Sequence, residues 1–385
     1  GYVRDKILST CKSLQTQSVS AGQLEEVKSS LKYSFASALD SSTGIADSLA
    51  GYIASSRTPA AINTLYQTYD SVTAEDVQSV ARRYFRPEGR TICTLVHGDK
   101  PDLGPIKLSK MQVGAIATAE PQPAATLAVD ATAKDPSPAV LIPSRSPLVS
   151  FRILFGTGAM HDPEGKEGLA NITAEMLSNA ATARRSYDDI VAAMFPMAAG
   201  LGAEVDKQMT VSSGTVHTDK LVPYYHLVHE MLTDPGFKQA DLDRIKTNTV
   251  SNIDAGLRRA DDEETGKEVL YGAIYAGHPF GHLNQGTIEG VQSITLKDVR
   301  DFYNSHFKAP FLGMSGGYPK GFPAKVAADL EAAFGKARDV AELRSDSTGA
   351  IPAIAKNRLT IVEKSTRATG IHVGFPIEVT RSHPD

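Results

Sequence analysis

The hydrophobic pattern of this chain contains one amphipathic phrase written twice at a constant offset. Ser71-Val72-Thr73-Ala74-Glu75-Asp76-Val77, running on to Tyr84-Phe85-Arg86, is answered by Ser293-Ile294-Thr295-Leu296-Lys297-Asp298-Val299, running on to His306-Phe307-Lys308. Val72 pairs with Ile294, Thr73 with Thr295, Asp76 with Asp298, Val77 with Val299 and Phe85 with Phe307. Each copy predicts a helix that opens on a Thr N-cap, with an acid three residues on to return the hydrogen bond. An aromatic residue and a base close the helix, and in the first copy a β-type run, Thr91-Ile92-Cys93-Thr94-Leu95-Val96, follows.

The correspondence extends upstream. Gln23-Leu24-Glu25-Glu26-Val27-Lys28 resembles Asp241-Leu242-Asp243-Arg244-Ile245-Lys246, with acids early and a base late, as the helix dipole favours. Leu49-Ala50-Gly51-Tyr52 is echoed by Val269-Leu270-Tyr271-Gly272, so residues 20–98 answer to 238–317. The first copy has no counterpart of 150–237, which predicts that the chain opens inside a lobe.

Four regions are expected. Residues 1–98 form the C-terminal part of one lobe, and 99–139 a linker carrying Pro101, Pro105, Pro121, Pro123, Pro136 and Pro138, with little to bury. Residues 140–345 form a complete lobe. Its strand Val149–Phe155 alternates, which groups Val149, Phe151 and Leu154 against Ser150, Arg152 and Ile153. Residues 346–385 open a further lobe, with Arg358–Val362 and Ile371–Phe375 as paired strands. The fold class is α+β: repeated lobes of mainly antiparallel sheet with helices packed on one face.

At 385 residues the chain can hold two or three domains with real cores. A net charge of −4 supplies no field for nucleic acid or anionic membrane, and neither is an expected partner. No apolar run approaches the ~18 residues of a spanning helix. The start, Gly1-Tyr2-Val3-Arg4, lacks the parts of a signal peptide. Cys11 and Cys93 are too few and too far apart for a metal or disulfide framework.

Candidate chemistry sits after the Val149–Phe155 strand. A Gly156-Thr157-Gly158 turn leads to His161-Asp162-Pro163-Glu164-Gly165-Lys166-Glu167-Gly168-Leu169-Ala170 and the helix Asn171-Ile172-Thr173-Ala174-Glu175-Met176-Leu177. This strand, turn, loop and Met-Leu helix together resemble the insulinase/pitrilysin family of zinc metallopeptidases, the inverted zincins, whose helix carries H-x-x-E-H directly after Gly-Leu-Ala. His278-Pro279-Phe280-Gly281, followed by Gly286-Thr287, resembles a further family segment.

That chemistry needs two imidazoles one helical turn apart to hold Zn²⁺, and a Glu beside them to take a proton from bound water. A further Glu on a second helix completes the family's ligand set. Mapped onto this sequence, Asn171 stands where the first His belongs, Ala174 replaces the base, and Glu175 replaces the second His. The second helix has no acid between Asp243 and Asp254, and Asn252 falls near the ligand position. These four are degenerate zinc-site positions. No catalytic residue, metal ligand or cofactor is expected in this chain, and Leu169, Ile172, Met176 and Ala180 should face a core.

Other motifs read as structure. His226 and His229 flank the seam Leu221, Tyr225, Val228, Leu232 on a helix expected over Asp219–Leu232. His161, His278 and His282 belong to turns set by Pro and Gly. Asp261-Asp262-Glu263-Glu264 is a solvated helix end or loop rather than a calcium loop. Arg184-Arg185 is weak evidence for phosphate contact, and Gly156-x-Gly158 is no dinucleotide fingerprint.

The resemblance implies a clamshell in which two two-lobed halves enclose a peptide chamber and only one half carries zinc. This chain then reads as a non-catalytic C-terminal portion that closes the chamber and helps bind peptide or unfolded polypeptide. The zinc and the catalytic half would lie elsewhere in the same polypeptide or on a partner subunit. The alternative is a non-enzymatic structural subunit, like the core proteins of a respiratory complex. Compartment follows the source: two-half bacterial relatives are often exported, eukaryotic ones mitochondrial or cytosolic.

Overall fold

The computed structural model describes residues 2–92, 139–337, 359–363 and 369–375. They fall into two compact units, one holding residues 2–92 and 195–198, the other 139–194 and the described residues from 199 on. The linker expected at 99–139 lies outside the described residues up to 138, as does Cys93.

The first unit contains five helices: α1 (Tyr2–Thr16), α2 (Ala21–Ala38), α3 (Ser42–Ser56), α4 (Ala61–Ser71) and α5 (Ala74–Tyr84). Ser20 and Gln23 make a capping box ahead of α2, and Thr73 and Asp76 make another ahead of α5. Residues 91 and 92 of the expected β-type run are not in a strand, and the rest of that run lies outside the described residues.

The second unit is a sheet with helices on it. Its elements are β1 (Ala139–Pro143), β2 (Leu148–Phe155), α6 (Leu169–Ser178), α7 (Tyr187–Met194), β3 (Gly202–Val205), β4 (Thr210–His217), α8 (Leu221–Thr233) and α9 (Gln239–Ser251). A π-helix, Asn252–Arg259, continues α9. Then come α10 (Asp262–Ile274), α11 (Ile288–Ser293), α12 (Leu296–His306), β5 (Phe311–Gly316) and α13 (Phe322–Phe334). The helix series α9 to α12 follows the same chain order as α2 to α5, as the repeated phrases require.

The strand order is β1-β5-β2-β4-β3, with β1 parallel to β5 and the other pairs antiparallel. This is the expected α+β class, a mainly antiparallel sheet. In β2 the side chains of Val149, Phe151, Ile153 and Phe155 are buried, while Ser150, Arg152 and Leu154 face the other way. A strand alternates with period two, so Ile153 takes the core place that the sequence reading gave to Leu154. Phe155 packs its ring against Phe307 at 4.9 Å and Phe334 at 5.2 Å, and Phe151 meets Tyr224 at 5.5 Å. Gly214 is required on β4: a Cβ there would stand 1.8 Å from the Tyr224 hydroxyl, which donates to the Gly200 carbonyl at 2.6 Å.

Two expectations change. Residues 359–363 and 371–375 are not strands, and Leu359, Ile361, Ile371, Val373 and Phe375 are exposed. A β-rich composition makes a strand only where a neighbouring strand offers its backbone, and none is paired with these segments among the described residues. The helix expected from Asp219 starts at Leu221, because Thr218–Lys220 forms a 3₁₀ turn first.

Candidate functional site

The loop between β2 and α6 is built by close backbone approaches. Ala159 and Met160 N–H donate to the carbonyls of Asp206 and Lys207 at 2.9 and 2.8 Å. That approach needs Gly158, whose Cβ would lie 2.2 Å from the Asp206 oxygen. Gly168 precedes α6 in the left-handed region at φ 105°, pressed against the Gln285 carbonyl, where only glycine fits without strain.

Gly168 has no side chain to cap α6, and Asp162 does the work from six residues upstream. Its carboxylate accepts from the N–H groups of Gly168 and Ala170, both at 2.7 Å. This satisfies orphan donors at the helix start and places negative charge at the positive dipole end. Burial pushes the Asp162 carboxyl up to about 7, against the two backbone bonds that hold it down. His282 Nε2 stands 4.0 Å away. Sequence reasoning missed this cap; the signal was an acid in a loop ahead of a helix whose own N-cap is glycine.

The same loop is tied to the repeated phrase. Lys166 donates to the Asp298 carboxylate at 2.9 Å, and Ser293 Oγ donates to the Gly165 carbonyl at 2.7 Å. Burial pushes the Asp298 carboxyl up, but its bonds to Lys166 and Thr295 outweigh that and hold it below the usual range.

Helix α6 is buried on most of its surface. Leu169, Ile172, Met176 and the following Ala180 are buried, as the seam predicts. Ala174 is 1% exposed and packed in that core. Asn171, Glu175 and Asn179, spaced one turn apart, form the partly exposed stripe. Glu175 is engaged there by Asn179 Nδ2 at 2.7 Å. Asn252 is exposed at the start of the π-helix. Helix α9 packs against α6 and is tied to its end by Asp241, which accepts from Ala181 N–H at 3.1 Å and pairs with Arg244 at 2.9 Å.

These residues do not fit a zinc ion. Two amides and one carboxylate already held by an amide offer no imidazole or thiolate, and Ala174 offers no atom to accept a proton. Among the described residues, no group of three or more His, Cys, Asp and Glu side chains could hold a metal ion.

The remaining motifs are absorbed by structure. On α8, Leu221, Tyr225, Val228 and Leu232 are buried, His226 is exposed and His229 half-buried. Burial pushes the His229 imidazole down. Arg184 pairs with Asp234 at 3.0 Å and Arg185 with Glu230 at 3.2 Å. Asp261 caps α10 by accepting from Glu264 N–H at 2.9 Å, so the acidic run is a helix start. His278 Nδ1 accepts from Phe280 N–H at 3.1 Å inside its turn. No helix among the described residues is long and apolar enough to cross a membrane.

Residues 139–282 match the family model described as Insulinase (Peptidase family M16). Over that segment the chain is similar to the insulinase family. The segment covers β1 to α10, including the loop that Asp162 organises and helix α6. No curated protein matches the sequence. Among solved structures, a peptidase M16 inactive domain from Pseudomonas fluorescens is 22% identical, with a TM-score of 0.48 over 56% of this chain and 52% of its own. The chain therefore spans about half the length of that relative. Pitrilysin is 17% identical at a TM-score of 0.45, over 51% of this chain and 22% of its own. A chain of complex III2 from Candida albicans is 16% identical at a TM-score of 0.39, over 52% and 45%.

Proposed function

We propose that this chain is a non-catalytic portion of a peptidase of the insulinase type, which closes a peptide chamber and helps hold the captured peptide. The reading is carried by α6: the family's zinc helix is kept as a packing element, with Ala174 buried where the general base would stand. A base is worth ~10²–10⁴ in rate, and its loss together with both imidazole positions leaves nothing to activate water.

Peptide is held as an added strand on a sheet edge, where backbone bonds give affinity without sequence specificity. The edges of the sheet are β1 and β3. The catalytic half, with its zinc, lies in the same polypeptide or on a partner subunit.

Fluorescence anisotropy with a labelled extended peptide tests this. Saturable binding, unaffected by chelator, with the peptide recovered intact, is expected. A chain that binds no peptide yet assembles stably with a catalytic partner would instead be a structural subunit.

A further inference from the structure

Two histidine rings meet where the β2–α6 loop passes the end of α12. His161, in the turn formed by residues 156–161, and His306, the last residue of α12, have ring centroids 5.3 Å apart. Phe302 stacks on His306 at 4.4 Å, and both imidazoles are half-buried. Neither ring is among the degenerate zinc-site positions.

Hydrogen bonding fixes the protonation of His161. Its Nδ1 accepts from the Gly158 N–H at 3.3 Å, and a ring nitrogen that accepts carries no proton. Gly158 is buried, so a proton on Nδ1 would orphan a buried donor. His306 is kept neutral by its surroundings. Burial, His161 and Lys308 all push its imidazole down, against the dipole of α12, which favours a cation in its last turn.

Among the described residues no carboxylate pairs with either ring: the histidine ion pairs are His217 with Asp219 and His282 with Asp162. Asp162 follows His161 in the same loop, but its carboxylate is held by the N–H groups of Gly168 and Ala170. From the neighbouring turn, the Lys207 ammonium goes to the His282 carbonyl. Acid therefore brings two imidazolium rings together near Lys308, and like charges at this distance repel. We propose that His161 and His306 form an acid-operated release: while both rings are neutral they hold the β2–α6 loop against the end of α12, and protonation drives them apart. At the other end of α12 Lys166 keeps its hold, because the Asp298 carboxyl lies below the usual range and stays ionised. The release is thus confined to the turn in which Ala159 and Met160 bond the Asp206 and Lys207 carbonyls. It does not depend on the peptide-holding reading above.

Histidine-selective NMR of the full chain from high to low pH tests it, with each ring assigned through its backbone neighbours. A ring held neutral contributes stability that is complete above its ordinary 6.5 and is lost as pH falls through its folded value. Asp162 acts in the opposite direction in the same lobe, so the reading is local rather than global. The His306 ring should titrate below 6.5. Exchange of the Gly158 amide, corrected for its intrinsic pH dependence, should quicken roughly tenfold or more from about pH 7 to about pH 5. His161→Gln keeps a neutral acceptor for Gly158; it should move the His306 midpoint up toward 6.5 and abolish the quickening. His306→Tyr, which gives α12 the residue that α5 carries as Tyr84, should abolish the quickening too. His226→Gln, exposed on α8, should change neither reading. A His306 ring that titrates at or above 6.5, or no quickening in the unaltered chain, would overturn the proposal. So would equal quickening in a folded His161→Gln. If neither variant folds, the titration and exchange of the unaltered chain still decide the matter.

Discussion

Helices α5 and α12 are written with one phrase and end in different surroundings. Their starts match: Thr73 has φ −107° and ψ 165°, Thr295 has φ −108° and ψ 164°, and each closes a capping box with its Asp. Their apolar faces do not. Phe307 is 3% exposed and Val299 is fully buried, whereas Phe85 is 46% exposed and Val77 only half-buried. Asp298 is bound by Lys166, whereas among the described residues Asp76 is held by Thr73 alone. A cap is local and travels with the sequence. Burial depends on what the fold brings opposite, and α12 has β2 and the loop before α6.

Three experiments probe this contrast between α5 and α12, and the largest effect comes from the aromatic exit residue. Phe307→Ala removes a ring packed on Phe155 and Tyr303, and should destabilise the second unit by about 3–5 kcal/mol. Phe85→Ala should cost the first unit well under half as much. Hydrogen exchange read unit by unit separates the two, and equal losses would mean that the shared phrase, not its surroundings, sets its energetic weight.

A pH titration comes next, because the acids at these helix starts act in opposite directions. Asp162 is raised to about 7 in the folded lobe, so that lobe binds its proton more tightly than the unfolded chain does. The stability this contributes is present below the ordinary value of 3.8 and is lost as pH rises through about 7. The slope is at most about 1.4 kcal/mol per pH unit. Asp76 and Asp298 are lowered, so their contribution is present above their ordinary value and lost as pH falls through the folded one. Denaturation of Asp162→Asn across pH 4–8 should flatten the slope in the second unit and leave the first unchanged; an unaltered slope would remove Asp162 from the account.

The smallest effect should be the most even. Thr73→Ala and Thr295→Ala each remove one cap, worth ~1 kcal/mol in either unit. Unit-resolved exchange that finds one cap worth several times the other would show that the boxes are equal only in geometry.

What the sequence made legible follows the same division. Both capping boxes, the seam of α8 and the buried face of α6 were readable, because each is set by residues within a few turns. Asn171, Ala174 and Glu175 were read as degenerate zinc-site positions; the fold puts Asn171 and Glu175 on the partly exposed stripe of α6 and Ala174 in its core. Asp162 over Gly168 and Lys166 on Asp298 were not readable. The first replaces a cap from outside the helix; the second joins residues far apart in the chain. Residues 359–363 and 371–375 failed for the complementary reason: β-rich composition does not supply a partner strand.

We propose above that α6 packs as the zinc helix of the insulinase type does while lacking its chemistry. Metal analysis of the purified chain after dialysis, run beside cleavage of a quenched fluorescent peptide, tests it most directly. Zinc far below one ion per chain and no chelator-sensitive cleavage are expected; one retained zinc per chain, with cleavage abolished by chelator, would contradict the account.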